Sequence, residues 1–181
     1  MLIVLVSISP FANAQEKGTQ ELVGGIGFFS SNDFLNSAET IISGVSYENT
    51  TTSPTINFTY KNTLKDNWFL YADGSLQFIN ADVLEDGVKT GDVSHRYWTA
   101  GLGTEYHYIH NDWFQMYSGA SIAYSLLYSD FSSPPREDKN DGYFNFQISA
   151  VGFRVGRALA AVVELGVGYK GIANAGISYQ F

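Results

Sequence analysis

The 181-residue chain has 18 Asp and Glu against 10 Lys and Arg. This net charge of −8 argues against nucleic-acid binding, which requires a basic surface. The chain contains no cysteine, which excludes disulfides and thiolate metal sites. After the N-terminus no apolar run approaches the roughly 18 residues of a spanning helix, which excludes a helical membrane protein. Phe, Tyr and Trp make up 15% of the residues and favour β-strands.

The N-terminus has the pattern of an export signal. Residues 2–8 are apolar apart from Ser7, and an A-x-A cleavage pattern follows at 12–14. No Lys or Arg precedes the apolar run, which keeps a buried first strand as the alternative. We therefore expect a removed signal peptide over residues 1–14 and a single domain over residues 15–181.

Segments with a period of two, the side-chain period of a strand, follow along the rest of the chain. In the last segment, apolar residues occupy the odd positions from Ala173 to Phe181, whereas the even positions are small or polar. These segments predict eight β-strands. The alternating segments are 21–29, 55–62, 68–79, 96–108, 113–128, 143–156, 159–170 and 172–181.

The sixth of these segments changes phase within its length. Its apolar residues lie at even positions up to Ala150 and at odd positions from Val151 onward. One inserted residue produces such a shift, so the sequence predicts a β-bulge near Val151 and Gly152. The shift turns Arg154 towards the polar face of the strand.

The connections between the segments alternate in length. Three are tight turns, at 64–67, 109–112 and 156–158. Three are longer and polar, at 30–54, 80–94 and 129–142. Within the first long connection, residues 40–47 can extend the first hairpin, and the short last connection at 170–172 is an exception. Short turns on one rim and long loops on the other are typical of outer-membrane barrels, so we predict an all-β, eight-stranded antiparallel up-and-down transmembrane β-barrel.

Several charged residues fall on the strand face that is rich in Gly, Ser and Thr. In a membrane barrel this face lines the lumen, and eight strands leave a lumen just wide enough for side chains to fill. An unpaired buried charge is costly, so these charges are expected to pair. We interpret them as a structural plug, with a gated ion path as the alternative. The predicted lumen charge network consists of Lys61, Asp73, Glu105, Arg154 and Glu164.

Large aromatic residues gather at the short-turn ends of the segments. Tyr and Trp favour the membrane–water interface, so these residues predict an aromatic belt, although ordinary strand propensity is an alternative reason for them. The residues of this predicted aromatic belt are Trp68, Tyr106, Tyr108, Trp113 and Phe114.

The final segment, 168–181, ends in alternating apolar residues and a terminal Phe. This ending resembles the small outer-membrane β-barrel proteins of Gram-negative bacteria, in the OmpA/OmpX-like and porin-like barrel superfamily. The resemblance implies that Ile177, Tyr179 and Phe181 form the signal read by the barrel-assembly machinery. It further implies a bacterial outer-membrane location, that machinery and outer-membrane lipid as partners, and a monomer.

The sequence gives little support for catalysis. A lipid-modifying enzyme needs a nucleophile and a base near the membrane surface, but Ser94 and His95 point to opposite faces of a strand. His107 and His110 fall near a short turn without an evident third ligand, so we interpret them as solvated turn residues rather than a metal pair. We therefore expect no catalytic residue, no cofactor and no metal.

Four functions are compatible with the pattern. The preferred hypothesis is a non-enzymatic outer-membrane barrel with a filled lumen and long outer loops for structural or surface-contact roles. The alternatives are a narrow channel for ions or small solutes, a lipid-modifying enzyme, and a soluble lipocalin-like carrier. The carrier requires an apolar interior and a polar exterior, the reverse of the predicted faces.

Overall fold

The computed structural model describes residues 18–33, 46–65, 67–85, 88–132 and 139–181, so the expected signal peptide lies outside the described residues. No helix within these ranges is long and apolar enough to cross a membrane. One antiparallel sheet contains all the strands of these ranges. They are β1 (Gln20–Phe28), β2 (Ser46–Thr52), β3 (Thr55–Lys65), β4 (Trp68–Glu85), β5 (Val88–His110), β6 (Phe114–Phe131), β7 (Lys139–Gly156), β8 (Leu159–Gly168) and β9 (Ala173–Gln180).

The sheet closes into a barrel. From β3 to β9 each strand pairs with the next, and β1 pairs with both β3 and β9. β2 and β3 are successive segments along β4, with β2 on its later half and β3 on its earlier half. The nine strands therefore occupy eight positions around the ring, which confirms the predicted eight-stranded up-and-down barrel.

The break between β2 and β3 falls at Ser53 and Pro54. Proline lacks the N–H that a strand ladder needs. Ser53 keeps the chain attached, because its N–H donates to the carbonyl of Phe78 at 2.9 Å and its Oγ accepts from the Phe78 N–H at 3.0 Å. β2 thus continues the pairing along β4 past this break. Residues 46–47 of the predicted 40–47 extension belong to β2 and pair with β4 rather than with β1, whereas 40–45 lie outside the described residues.

The predicted β-bulge is confirmed within one residue. Ser149 pairs with Gly166 and Val151 with Leu165, so Ala150 is the extra residue of β7. The pairing with β6 shifts at the same place. After the bulge Arg154 faces the lumen and is buried.

The two faces of the barrel differ as predicted. Polar and charged side chains fill the interior, and large apolar side chains are exposed on the outside, where Leu102, Ile122 and Phe144 are more than 60% exposed. We call this exposed apolar zone the belt, and the predicted aromatic belt keeps its full name. A closed barrel satisfies its own backbone hydrogen bonds, and with an apolar exterior it is built to cross a membrane. The soluble carrier, which needs the opposite faces, is therefore excluded.

Two of the predicted long loops are largely wrong. β4 and β5 remain paired from the belt up to Glu85 and Val88, so most of 80–94 is strand. Likewise, β6 continues to Phe131 and β7 begins at Lys139, both within the predicted loop at 129–142. The segments were mistaken for loops because their outward positions are polar, although the alternation continues. The outer extension, as we call these strand ends, comprises 46–52, 79–85, 88–95, 127–131 and 139–143.

Candidate functional site: the filled lumen

A buried ion pair crosses the lumen between β3 and β5. Lys61 Nζ lies 2.8 Å from Glu105 Oε2, and both side chains are almost completely buried. The two strands are separated by β4 in the sheet, so the pair joins them through the interior rather than along the wall. Lys61 Nζ also lies 4.6 Å above the centre of the Tyr117 ring, which adds a cation–π contact.

His107 is part of this buried group. Its ring lies between those of Phe69, at 4.2 Å, and Tyr117, at 4.8 Å, and its Nε2 is 3.4 Å from Glu105 Oε2. The side chain is completely buried. Its interpretation as a solvated turn residue is therefore wrong, because β5 continues past it to His110, which is exposed.

Asp73 of β4 is paired by a turn that enters the lumen. The Tyr169 hydroxyl donates to Asp73 Oδ1 at 2.6 Å, and Lys170 Nζ lies 2.7 Å from Oδ2 as an ion contact without aligned hydrogen-bond geometry. Both partners come from the connection between β8 and β9. This connection bends inward at Gly171, whose φ of 108° is a conformation that glycine adopts without strain.

Arg154 of β7 is held by the first and last strands. Its Nε donates to Glu21 Oε1 of β1 at 2.9 Å and to Ser178 Oγ of β9 at 3.0 Å. Its Nη2 donates to the carbonyl oxygens of Arg157 and Ala158 in the following turn. The guanidinium therefore ties β7 to the place where the barrel closes.

Glu164 is held by hydroxyl groups. Its Oε1 accepts from Ser149 at 2.5 Å and its Oε2 from Tyr117 at 3.1 Å. Among the described residues, no cationic nitrogen forms a salt bridge with it. Glu164 thus differs from the other buried carboxylates, each of which has a lysine or arginine partner.

All five predicted lumen residues are buried, but salt bridges do not join them into one network. Only Lys61 and Glu105 pair with each other. The partners of Asp73 and Arg154, which are Lys170 and Glu21, were missed in the sequence. Lys170 was missed because it falls in the predicted connection at 170–172. Glu21 could have been found, because it alternates with the apolar Leu22 and therefore lies on the inward face of its strand.

Residues 30–33 cover the outer mouth of the lumen. Ser30 Oγ and Asn32 Nδ2 both donate to Gln77 Oε1, at 2.7 and 2.9 Å. The Gln77 amide donates to Asp33 Oδ1 at 2.9 Å, and the Tyr143 hydroxyl donates to Asn32 Oδ1 at 2.8 Å. This short segment was predicted as loop, and it forms a polar lid bonded to β4 and β7.

A small cavity remains within the lumen. Its volume is about 30 Å³, and Asn57, Glu164 and Lys170 lie among the polar residues that line it. This is room for one or two water molecules. Within the described ranges, no group of three or more His, Asp or Glu side chains is placed to hold a metal ion.

His95 is also internal. Its ring is buried, and its Nδ1 lies 2.8 Å from Ser129 Oγ on β6. Ser94, which precedes it, is on the outward face, as the period of the strand requires. His95 therefore faces the interior, away from the lipid-facing surface.

The residues of the predicted aromatic belt lie at the short-turn rim. Trp68, Tyr106, Tyr108 and Trp113 are exposed, and the Trp68 and Tyr106 rings are 5.1 Å apart. Phe114 is half-buried and its ring is 6.0 Å from that of Trp113. The predicted assembly-signal residues, Ile177, Tyr179 and Phe181, are all exposed on the outside of β9 and its end.

The fold is similar to that of solved outer-membrane barrels, including those of OprF and Ail. The N-terminal β-barrel domain of OprF from Pseudomonas aeruginosa matches with a TM-score of 0.52 and 14% identity, over 92% of this chain and 100% of that domain. Ail, the attachment invasion locus protein of Yersinia pestis, in complex with the heparin analogue sucrose octasulfate, matches with a TM-score of 0.52 and 11% identity, over 91% of this chain and 99% of Ail.

No protein-family model and no curated protein matches the chain. At the identities of the two solved structures the likeness concerns the fold alone. That fold, together with the apolar belt, confirms the small outer-membrane barrel expected from the C-terminal resemblance.

Proposed function

We propose that this outer-membrane barrel is non-enzymatic and non-conducting, and that it holds a strand-built extension above the membrane for contact with other surfaces. The main support is the packing of the lumen. Lys61, Asp73 and Arg154 each have a buried partner of opposite charge, and aromatic rings fill the space between them. A lumen filled in this way is a structural core rather than a pore.

The positions of the histidines argue against a lipid-modifying activity. A base that acts on membrane lipid must reach the outside of the barrel or its rim. His95 and His107 are both buried and face the lumen. His110 is at the rim, but its ring neighbours are Phe69 and His107 rather than a nucleophile.

The outer extension provides free strand edges for contact. Among the described residues, positions 139–145 of β7 pair only with β6, and β2 pairs only with β4. The β2 edge is interrupted by a bulge between Glu48 and Thr51, and bulges protect edges from pairing. The β7 edge lacks such a bulge in this part, so it is the better edge for adding a strand of a partner.

The charges of the extension favour a partner other than a polysulfated sugar. The outward side chains include Asp82, Asp92 and Asp130, with Lys89 and Arg96 paired to them. Ail is solved with a heparin analogue, a polyanion. The described part of this extension has more carboxylates than cations, so it does not supply the cationic surface that such a ligand requires.

Two experiments test the proposal. Purified protein in planar bilayers should show no regular conductance steps, and reproducible steps would refute the non-conducting lumen. Cells that produce the protein should sediment faster and adhere to bare glass more than cells without it. Replacing residues 130–141 with Asn-Gly should remove this gain, whereas Asn111→Ala at the opposite rim should keep it. Equal adhesion of all strains would refute the contact role, provided that heat-modified gel mobility shows folded barrels.

A further inference from the structure

Arg96 occupies an unusual place on the outside of the barrel. It faces outward from β5, with Phe78 of β4 and Tyr128 of β6 directly beside it in the sheet. Trp98, two residues towards the belt, is 53% exposed, whereas Ser94 and Asp92 in the other direction are polar. Arg96 therefore lies at the border between the apolar belt and the polar outer extension, at the level of lipid headgroups.

An open crevice begins at this arginine. It has a volume of about 550 Å³ and is lined by Arg96, Trp98, Leu126 and Tyr128. Trp98 pairs with Leu126 and Arg96 with Tyr128, so the crevice runs along the outside of β5 and β6 from a cationic end to an apolar end. This shape and polarity match a lipid, with its headgroup at the arginine and a chain beside the tryptophan.

The guanidinium retains capacity for a ligand. Its Nη2 donates to Asp130 Oδ2, and its Nε and Nη1 donate to no other described residue. A guanidinium has five N–H donors in a planar fork that suits phosphate oxygens. The side chain is 48% exposed, so the unused donors are accessible. Arg154, by contrast, is buried in the lumen, and Arg157 is in a turn at the opposite rim.

We propose that this crevice binds a phosphate-bearing lipid of the outer leaflet. The phosphate contacts the free edge of the Arg96 guanidinium, and an acyl chain lies along Trp98 and Leu126. Asp130 competes with the phosphate for the guanidinium and limits the affinity. General electrostatics does not explain such binding, because the net charge of −8 repels anionic lipids from the rest of the surface.

The three tryptophans make a direct test possible, since Trp98 is at the outer border and Trp68 and Trp113 are at the other rim. The variant W68F/W113F leaves Trp98 as the sole emitter. It is reconstituted in phosphatidylcholine vesicles that contain either brominated phosphatidic acid or brominated phosphatidylcholine, which quench tryptophan on contact. We expect the phosphatidic acid to associate about fivefold more strongly at Trp98, equivalent to about 1 kcal/mol for one interfacial arginine.

Matched variants assign the effect. In the same background Arg96→Gln should abolish the preference, Asp130→Asn should increase it, and Lys89→Gln, which removes a cation from the extension, should leave it unchanged. The variant W68F/W98F, which reports from Trp113, should show no dependence on Arg96. Equal quenching by the two lipids, or a preference that survives Arg96→Gln, overturns the proposal. If the tryptophan variants do not fold, native mass spectrometry of the unaltered chain and of Arg96→Gln with phosphatidic acid makes the same comparison.

Discussion

The belt-level barrel and the outer extension use the same strands with opposite polarity. In the belt, Leu102 points outward and Glu105 inward on β5. Further along the same strand, Asp92 is exposed and Val93 is buried with Ala81 and Val83. The alternation of inward and outward side chains continues along the strand, but the apolar residues move from the outward face to the inward face. The surrounding medium, rather than the backbone, therefore decides which residue type occupies each face.

The inversion follows from what each face must satisfy. Within hydrocarbon the outside must be apolar, and the narrow interior can hold polar groups because they pair with one another. Above the membrane the outside meets water, so polar residues are stable there, and burying apolar residues inside provides stabilisation. The outward face of β5 changes from apolar at Trp98 to polar at Asp92, and this change marks the level at which the barrel leaves the membrane.

The largest effect is expected from unpairing a lumen charge. Glu105→Gln leaves Lys61 buried without its ion partner, which should lower the free energy of unfolding by about 3–5 kcal/mol. Urea unfolding of the protein in vesicles measures this loss. The double variant Lys61→Met/Glu105→Gln should recover more than half of the loss. A single variant as stable as the unaltered chain would show that the pair is not a stabilising element of the lumen.

A cation on the outside should distinguish the two regions directly. Leu102→Arg places a charge in the middle of the belt and should cost about 2–4 kcal/mol. Ser94→Arg, on the same face of the same strand but in the extension, should change stability by less than about 0.5 kcal/mol. The same unfolding measurement compares them. Equal costs would place the membrane border elsewhere.

A hydroxyl group on the inside should show the reverse preference. Val93→Thr buries a hydroxyl in the apolar cluster of the extension and should destabilise it by about 1–2 kcal/mol. Ala123→Ser in the lumen, opposite the polar Asn145 of β7, should be nearly neutral. Amide hydrogen exchange of β4 and β5 reports the local stability of the extension. Faster exchange in Ala123→Ser than in Val93→Thr would contradict the inversion.

The smallest effect concerns the exposed charges of the extension. A hydrogen bond from Asn49, together with Lys89, lowers the pKa of Asp82 below its usual value. The stabilisation is therefore present above about pH 4, the unfolded value, and is lost as the pH falls through the lower folded value. Protection factors of the β2 and β4 amides, which correct the exchange rates for the intrinsic effect of pH, should fall slightly in that acidic window, and Asp82→Asn should remove this dependence. An identical acid response in both proteins would contradict the assignment.

The strands, their faces and the bulge were predictable because they depend on local alternation. The inward direction of Glu105 and Arg154 needs only the period of two and the phase shift at Ala150. The length of the strands was not predictable in the same way. Polar outward residues such as Asn80 and Asp82 mimic a loop when hydrocarbon is assumed on the outside throughout.

The partners within the lumen were the least predictable part. Asp73 and Lys170 are 97 positions apart in the sequence, and Arg154 and Glu21 are on strands that are not neighbours in the sheet and face each other across the lumen only after closure. Such pairs depend on the curvature of the sheet and on the inward bend at Gly171. Local patterns give the face of each residue, but they do not give the residue across the lumen.

The inward turn before β9 has a consequence for biogenesis. Asp73 and Arg154 belong to the middle strands, and their counter-charges come from the two ends of the barrel, Lys170 beside β9 and Glu21 on β1. Before the first and last strands meet, both middle charges lack these partners. Joining the ends therefore completes the wall and supplies both missing counter-charges. A partly assembled barrel with Asp73 and Arg154 unpaired is electrostatically less stable than the closed one.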